Sequence, residues 1–200
     1  MEAVSAKSIT DAFPEDNGDI VLEVNSNGGL VTVGSEIYTA LKSYSGNVTV
    51  EVTGMAASAA SVAIMGADKV LISPTAQIMI HKALYGYVSG NSDDLDKASN
   101  ALKSSDQAII NAYVAKTGLS EEEILDMMRN ETYMSASEAV EKGFADEVMS
   151  FDDVGAVASL ENGLLPQAVI DDFYANRSKR KSEIQNMLRE IEKEELLRGL

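Results

Sequence analysis

The sequence predicts an α/β fold built on a mostly parallel sheet, and two observations lead to that class. Strand-like alternation at 19–24 and at 48–53 is followed each time by helical spacing, first over 34–44 and then through residue 65. Strands and helices that alternate at this interval indicate right-handed βαβ units, whose strands run parallel. The 200 residues are 45% hydrophobic, which suffices for one sizeable α/β core.

Each early element ends at residues that favour a turn. A helical pattern over 6–13 precedes the first strand, and the turn-forming run 25–29 ends that strand. We expect the second strand to stop at Gly54, where a Gly-Ala-Ser turn leads into a helix. Two further short strands are predicted at 70–72 and 78–80.

The longest periodic segment, 92–116, follows a glycine-rich loop at 86–91. It is too long and too thinly apolar to be a core helix alone, so we expect a helix that projects from the chain. Such a helix commonly packs on another subunit, with Leu95, Leu102 and Ile109 as candidate interface residues. An amphipathic surface helix is the alternative reading.

Helix-start signals and a glycine cap mark the remaining elements. They predict a helix at 120–129 begun by Ser120 with Glu123, a helix at 136–142 begun by Ser135 with Glu138, a left-handed cap at Gly143 and a strand at 144–148.

Three regions follow from the changes in composition along the chain. Residues 1–150 are predicted to form the folded domain, and residues 151–177 a loop-like linker. Residues 178–200 read as a charged amphipathic helical tail, in which a basic block precedes an acidic one.

Composition excludes several classes of function. The chain has 32 acidic against 16 basic residues and a net charge of −16, which argues against nucleic acid as a partner. It has no cysteine and one histidine, which excludes thiolate catalysis and metal sites rich in Cys or His. No apolar run approaches ~20 residues and no signal-peptide pattern opens the chain. We therefore expect no membrane partner and a cytoplasmic location.

Ser58 and His81 are the candidate catalytic residues. Ser58 follows a strand and opens a helix among small residues, which is how a nucleophile is presented beside free backbone N–H groups. His81 closes the strand 78–80 and is the one possible imidazole base. Tight helix–sheet packing and a structural histidine are the competing interpretations. Catalysis is favoured because residues 29, 58 and 81 all follow strands, and parallel strands end at one edge of the sheet.

Four separated motifs together resemble the proteolytic subunit of the Clp proteases. In chain order they are Asn25-Ser26-Asn27-Gly28-Gly29 followed by Gly34, then Gly54-Met55-Ala56-Ala57-Ser58, then Met79-Ile80-His81, and finally Tyr133-Met134-Ser135-Ala136 with Glu138-Ala139. The match covers about residues 5–149 and is specific because all four motifs agree. It implies a crotonase-like fold, a serine protease triad, and stacked heptameric rings that enclose a chamber.

The resemblance also implies a role for individual residues. Ser58 corresponds to the family's nucleophile and His81 to its general base. Gly29 and Ala59 match the positions whose backbone N–H groups form the oxyanion hole. Glu131 stands where the family has the triad aspartate, two residues before the aromatic Tyr133. A solvated Glu131, with Asp126 or another acid in its role, is the alternative.

Several departures from the family pattern narrow the resemblance. Glu131 replaces an aspartate, Asn27 replaces the proline before Gly-Gly, and the first strand and pore-loop segment of housekeeping members is missing. The basic-then-acidic tail also differs from the short end of those members. These features resemble the Clp-like proteases of phages and prophages, which process capsid or scaffold proteins during head maturation.

The predicted function is thus that of a serine endopeptidase that acts on peptides and proteins in an oligomeric chamber. The candidate partners are a Clp-type ATPase and phage capsid or scaffold proteins. Peptide cleavage needs no cofactor, and the chain has no Gly-x-x-x-x-Gly-Lys-Ser/Thr phosphate loop, so ATP would act through a partner. Two rivals are a crotonase-type acyl-CoA enzyme and an inactive assembly subunit of the same fold.

Overall fold

The computed structural model describes residues 4–150, which contain six strands in one sheet and six helices. The strands are β1 (Ile20–Ser26), β2 (Val48–Ala57), β3 (Lys69–Ile72), β4 (Gln77–Ile80), β5 (Thr132–Ser135) and β6 (Glu147–Val148). The helices are α1 (Ala6–Thr10), α2 (Val31–Ser43), α3 (Ala59–Ile64), α4 (Ser92–Thr117), α5 (Glu121–Arg129) and α6 (Ala136–Glu141). The predicted linker at 151–177 and tail at 178–200 lie outside the described residues.

The predicted α/β class and mostly parallel sheet are confirmed. Strand β2 is central: β1 pairs with it along one side, while β3 and β4 pair in parallel with its first and second halves. Strand β6 extends the sheet in parallel beyond β3. Within residues 4–150 the one antiparallel pair joins β4 to β5, a strand that the sequence pattern did not predict.

Apolar strand residues form the centre of the core. Val48, Val50 and Val52 of β2 and Ile78 and Ile80 of β4 are fully buried. Helices α2, α3, α4 and α5 add their apolar faces to the same cluster. α2 approaches α3 closely because Gly34 has no side chain, and a Cβ there would collide with the Ala59 carbonyl oxygen. This close approach brings the N-terminal end of α3 next to the loop that follows β1.

Strand β2 is longer than the sequence predicts. The prediction of a strand end at Gly54 was wrong, since β2 continues to Ala57 and gains β4 as a new partner from Met55 onward. The register with β1 shifts in this region, and the Asn25 side chain accepts the Met55 N–H at 3.2 Å. Local turn propensity is therefore overridden by ladder bonds from a strand more distant in sequence.

Helix ends follow the sequence more closely. Both predicted capping boxes are present, with Ser120 bonded to Glu123 and Ser135 bonded to Glu138. These hydrogen bonds lower the pKa of each of the two glutamates. Gly143 adopts the expected positive φ, at 77°. The predicted strand 144–148 shrinks to two residues.

The start of that shortened strand is set by packing rather than by alternation. Phe144 and Ala145 both donate their backbone N–H to the Ala139 carbonyl, which closes the end of α6. Both side chains are buried there, so the chain enters the sheet only at Glu147.

Helix α4 has two different halves. It spans 26 residues, or about 39 Å at 1.5 Å per residue. Its first buried residue is Asp106, and within the described range almost every earlier position is exposed. The N-terminal half thus extends beyond the core, as predicted. Ile109, however, is only 3% exposed and belongs to the core of its own chain, so its prediction as an interface residue was wrong.

Candidate active site

The site lies where the parallel strands β2 and β4 end. Their last pairs are Ala56 with Ile78 and Ala57 with Met79, so the next residues on each strand leave the same edge of the sheet. Ser58 follows β2 and His81 follows β4. Both line one pocket of about 130 Å³, together with Gly29 and Ala59. Four of the five predicted site residues are therefore brought together.

Ser58 and His81 are in direct contact. The Ser58 Oγ lies 2.7 Å from the His81 Nε2, which is a short hydrogen bond between two half-buried side chains. When the imidazole carries its proton on Nδ1, the serine hydroxyl donates to Nε2. In that tautomer the imidazole is placed to accept the hydroxyl proton.

The backbone of Ser58 is held in an unusual conformation. Its φ is 56° and its ψ −125°, a combination that costs on the order of 1–3 kcal/mol for a non-glycine residue. The Ser58 N–H donates to the Met79 carbonyl at 2.9 Å, and the Ser58 carbonyl accepts from the Ser61 N–H at 3.0 Å. These bonds hold the turn so that the side chain projects into the pocket rather than along the strand.

A buried hydroxyl pair supports the same turn from behind. The Ser61 hydroxyl donates to the Ser58 carbonyl at 2.6 Å and lies 2.8 Å from the Tyr113 hydroxyl. Burial raises the pKa of Tyr113, so the phenol stays protonated. Because the single Ser61 proton is already used, Tyr113 is the donor in the second bond. Helix α4 is thereby connected to the backbone of Ser58.

Two backbone N–H groups are free to bind an oxyanion. Ala59 is the first residue of α3, so its N–H has no partner inside the helix. Among the described residues, neither Ala59 nor Gly29 donates its N–H to an acceptor. Both residues line the pocket next to Ser58. Free donors at a helix N-terminus favour negative charge, as an oxyanion hole requires.

Gly28 is a site residue that the sequence reasoning missed. Its φ is 96°, and a Cβ built there would lie 2.6 Å from the Ala57 oxygen and 2.8 Å from the Ser58 Cβ. The loop therefore touches the turn at Ser58 backbone to backbone, which only glycine permits. The Gly-Gly pair in the sequence was the available signal, but it did not say which glycine makes the contact.

Replacing Gly28 with alanine is expected to reduce peptidase activity by a factor on the order of 10²–10³, because the loop must retreat and carry the Gly29 N–H with it. Steady-state hydrolysis of a fluorogenic peptide measures this. Gly118→Ala is the control, since Gly118 also has a positive φ, 73°, but has open space around it. That control should lose about 1–2 kcal/mol of stability and keep normal activity. Equal activities in the two variants would contradict the assignment.

Glu131 is near His81 along the backbone but not bonded to it. The antiparallel ladder of β4 and β5 ends with Ile80 opposite Thr132, so the next residues are His81 and Glu131. Glu131 has a φ of 46° and an exposed side chain. Within residues 4–150 its carboxylate makes no hydrogen bond or ion pair. Asp126, the alternative acid, is paired with Arg129 at 2.9 Å on the surface.

The pocket contains further residues that sequence reasoning did not assign to it. They are Val31, Val62, Lys82, Ala83, Leu84, Ile109 and Tyr113. Most of these residues are apolar, so the pocket suits an apolar side chain of a bound peptide, which loses its contact with water there. Ile109 and Tyr113 lie on α4, at positions i+3 and i+7 from Asp106, so the three residues share one face of the helix. The sequence signal that could have pointed to this face of α4 was Asp106, an aspartate among otherwise apolar positions.

Other kinds of site are not found in the described residues. Residues 4–150 contain no group of three or more His, Asp or Glu side chains able to hold a metal ion. No helix in that same part of the chain is long and apolar enough to span a membrane.

The arrangement is that of a serine hydrolase: an unusually held serine, an imidazole in contact with it, and two free N–H groups beside it. Comparison with known proteins makes the class specific. The family model described as Clp protease matches residues 9–152. The chain therefore belongs to the Clp protease family, whose enzymes are serine-type endopeptidases.

Individual relatives agree with that family. The chain is 34% identical over 165 residues to the ATP-dependent Clp protease proteolytic subunit 1 of Chlamydia trachomatis serovar D, covering 76% of this chain and 86% of the relative. It is 37% identical over 139 residues to the protein of the same name from Chlamydia muridarum, covering 68% and 72%. A proteolytic subunit 2 from Tropheryma whipplei is 29% identical over 132 residues, covering 65% and 73%.

Proposed function

We propose that this chain cleaves peptide bonds with Ser58 as nucleophile and His81 as general base. The observation that carries the proposal is the 2.7 Å contact between the Ser58 Oγ and the His81 Nε2 at the end of adjacent parallel strands. A structural histidine would need no nucleophilic partner. A serine used only for packing would need no positive φ.

In the proposed reaction, the Ser58 Oγ bonds to the peptide carbonyl carbon while its proton passes to His81. The carbonyl oxygen becomes an oxyanion that accepts from the Gly29 and Ala59 N–H groups. As the C–N bond breaks, the imidazolium returns its proton to the leaving amine, and an acyl-enzyme remains. A water molecule then gives a proton to His81 and attacks the ester carbonyl. As the bond to the Ser58 Oγ breaks, the imidazolium returns that proton to the Oγ, which releases the acid and restores both residues.

Glu131 is proposed as the carboxylate that orients His81. Two observations support this role. The register of β4 and β5 leads to Glu131 opposite His81, and Glu131 is one of three non-glycine residues with positive φ in residues 4–150. Ser58 is another. Such conformations concentrate at active sites. The role requires the carboxylate to turn from solvent toward the imidazole Nδ1, as catalytic hydrogen bonds often tighten only with substrate bound.

We further propose that the enzyme acts as a homo-oligomer of heptameric rings, stacked as a tetradecamer. The exposed N-terminal half of α4 supports this, with Leu95 48% exposed and without cover in the described part of the chain. Native mass measurement of the full chain tests it, and a mass equal to one chain would contradict it. The names of the relatives include "ATP-dependent", which supports a Clp-type ATPase as partner.

Within this class of peptidase, we propose phage capsid or scaffold proteins as the substrates. The support for this proposal is the set of departures from the housekeeping pattern, notably Asn27 and Glu131. Absence of cysteine suits the cytoplasm as the place of action. Incubation of the purified enzyme with a capsid precursor and with casein tests substrate choice, and equal cleavage rates would count against it.

Labelling with a fluorophosphonate separates the candidate activities. The probe reacts with activated serines, so we expect stoichiometric modification that peptide mapping assigns to Ser58. A crotonase-type site polarises a carbonyl without an activated serine and would stay unlabelled, and no comparison supports that activity. An inactive assembly subunit would also stay unlabelled. Absence of label on the full-length, assembled chain would therefore overturn the proposal.

A further inference from the structure

Asp106 is a buried acidic side chain that the proposed mechanism does not use. It lies in α4, on the helix face that also carries Ile109 and Tyr113, and is only 4% exposed. A buried carboxylate is costly unless it is bonded on several sides. Its two partners are the Ala83 N–H, 2.8 Å from Oδ1, and the Lys82 ammonium, 3.0 Å from Oδ2.

Both partners belong to the residues that directly follow His81. Strand β4 ends at Ile80, so His81 is held by the sheet on one side only. Residues 81–91 contain neither helix nor strand. In the described part of the chain, the Ala83 N–H is the one backbone group of residues 82–90 that takes part in a hydrogen bond. The sheet thus holds the chain before His81, and Asp106 holds it after His81.

The same helix also holds the nucleophile. Through Ser61, the Tyr113 hydroxyl reaches the Ser58 carbonyl, as described above. The i and i+7 positions of α4 therefore contact the two segments that carry the base and the nucleophile. Loss of either contact would release one segment while the other stayed attached to α4, and the 2.7 Å contact between Oγ and Nε2 would change.

We propose that Asp106 is a positioning residue, whose hydrogen bond to the Ala83 N–H holds His81 in register with Ser58. This inference rests on the proposed function, since it assigns Asp106 a task only if His81 is the base. The backbone bond, rather than the ion pair, carries the effect. Lys82 is 43% exposed and can be solvated without its partner.

Two substitutions at one position separate these contributions. Asp106→Asn keeps an oxygen acceptor for the Ala83 N–H and loses the charge, so kcat should stay within about threefold of wild type. Asp106→Leu has a similar shape but no acceptor, and kcat should fall by a factor on the order of 10–100, since a displacement near 1 Å can cost that much. KM should change less than kcat in both, because Val31, Val62 and Ile109 of the pocket lie outside the segment that Asp106 holds.

Asp146 offers a matched control. Its carboxylate also accepts a backbone N–H, that of Val70 at 2.6 Å, and pairs with Lys116 at 2.7 Å. It lies at the start of β3 and β6, away from the edge where Ser58 and His81 lie. Asp146→Leu should therefore lower the melting temperature and leave kcat unchanged. All variants are compared as full chains, at a temperature where circular dichroism shows them folded.

The rate of fluorophosphonate labelling at Ser58 completes the experiment. We expect labelling of Asp106→Leu to slow in parallel with kcat, and labelling of Asp106→Asn to remain near the wild-type rate. An unlabelled wild type would refute the proposed function itself. A labelled wild type with equal kcat in folded Asp106→Leu would refute the positioning role alone. Equal losses in the two Asp106 variants would also refute it, since the charge would then be responsible.

Discussion

Ser58→Ala is expected to reduce peptide hydrolysis by a factor on the order of 10⁵–10⁶, as loss of a serine nucleophile does in serine proteases. The change removes one oxygen among small residues, so the turn and its hydrogen bonds to Met79 and Ser61 can persist. Stability and native mass should stay unchanged. Fluorogenic peptide hydrolysis, fluorophosphonate labelling and native mass together measure these outcomes.

Ser61→Ala is the matched control for the nucleophile. It removes a hydroxyl from the same helix, only 2.6 Å from the Ser58 carbonyl, but leaves the Ser58 Oγ in place. We expect a loss of less than about tenfold, because the Ser61 N–H still donates to that carbonyl. A Ser58→Ala enzyme with wild-type turnover would show that another group attacks the substrate.

Glu131→Gln is expected to lower kcat by a factor on the order of 10²–10⁴, with little effect on KM or native mass. The amide keeps the shape of the side chain but cannot stabilise the imidazolium or fix its tautomer. Glu131 is exposed and makes no side-chain hydrogen bond within residues 4–150, so its neutralisation should leave the melting temperature unchanged. A kinetic loss without a stability loss is the expected signature of a carboxylate that acts during the reaction.

Asp126→Asn serves as the control for this position. Asp126 is a neighbouring acid on α5, and its exposed pair with Arg129 is expected to contribute little to stability or turnover. Normal activity in Asp126→Asn beside a strong loss in Glu131→Gln would support the assignment. The opposite pattern, a normal Glu131→Gln and an inactive Asp126→Asn, would transfer the third role to a different acid.

The sequence predicted most of the elements because their signals are local. Capping boxes at Ser120 and Ser135 identify helix starts within one turn, and the structure has both. The predicted element boundaries are wrong where pairing or packing with residues distant in sequence sets them. The end of β2 depends on pairing with β4, and the short β6 depends on how Phe144 packs after α6. The antiparallel strand β5 exists because β4 has a free edge to pair with.

The sequence by itself determined the α/β class, the family resemblance and the residue types available for chemistry, because a single histidine and a serine among small residues leave few choices. Only the tertiary structure decided which groups meet. It brought Ser58 to 2.7 Å from His81, placed Gly28 against the turn at Ser58, and bonded Asp106 of α4 to the backbone of Ala83, two residues after His81. The reason is physical: periodicity and turn chemistry act over a few residues, whereas hydrogen bonds and close packing at this site join segments that only the folded sheet and α4 bring together.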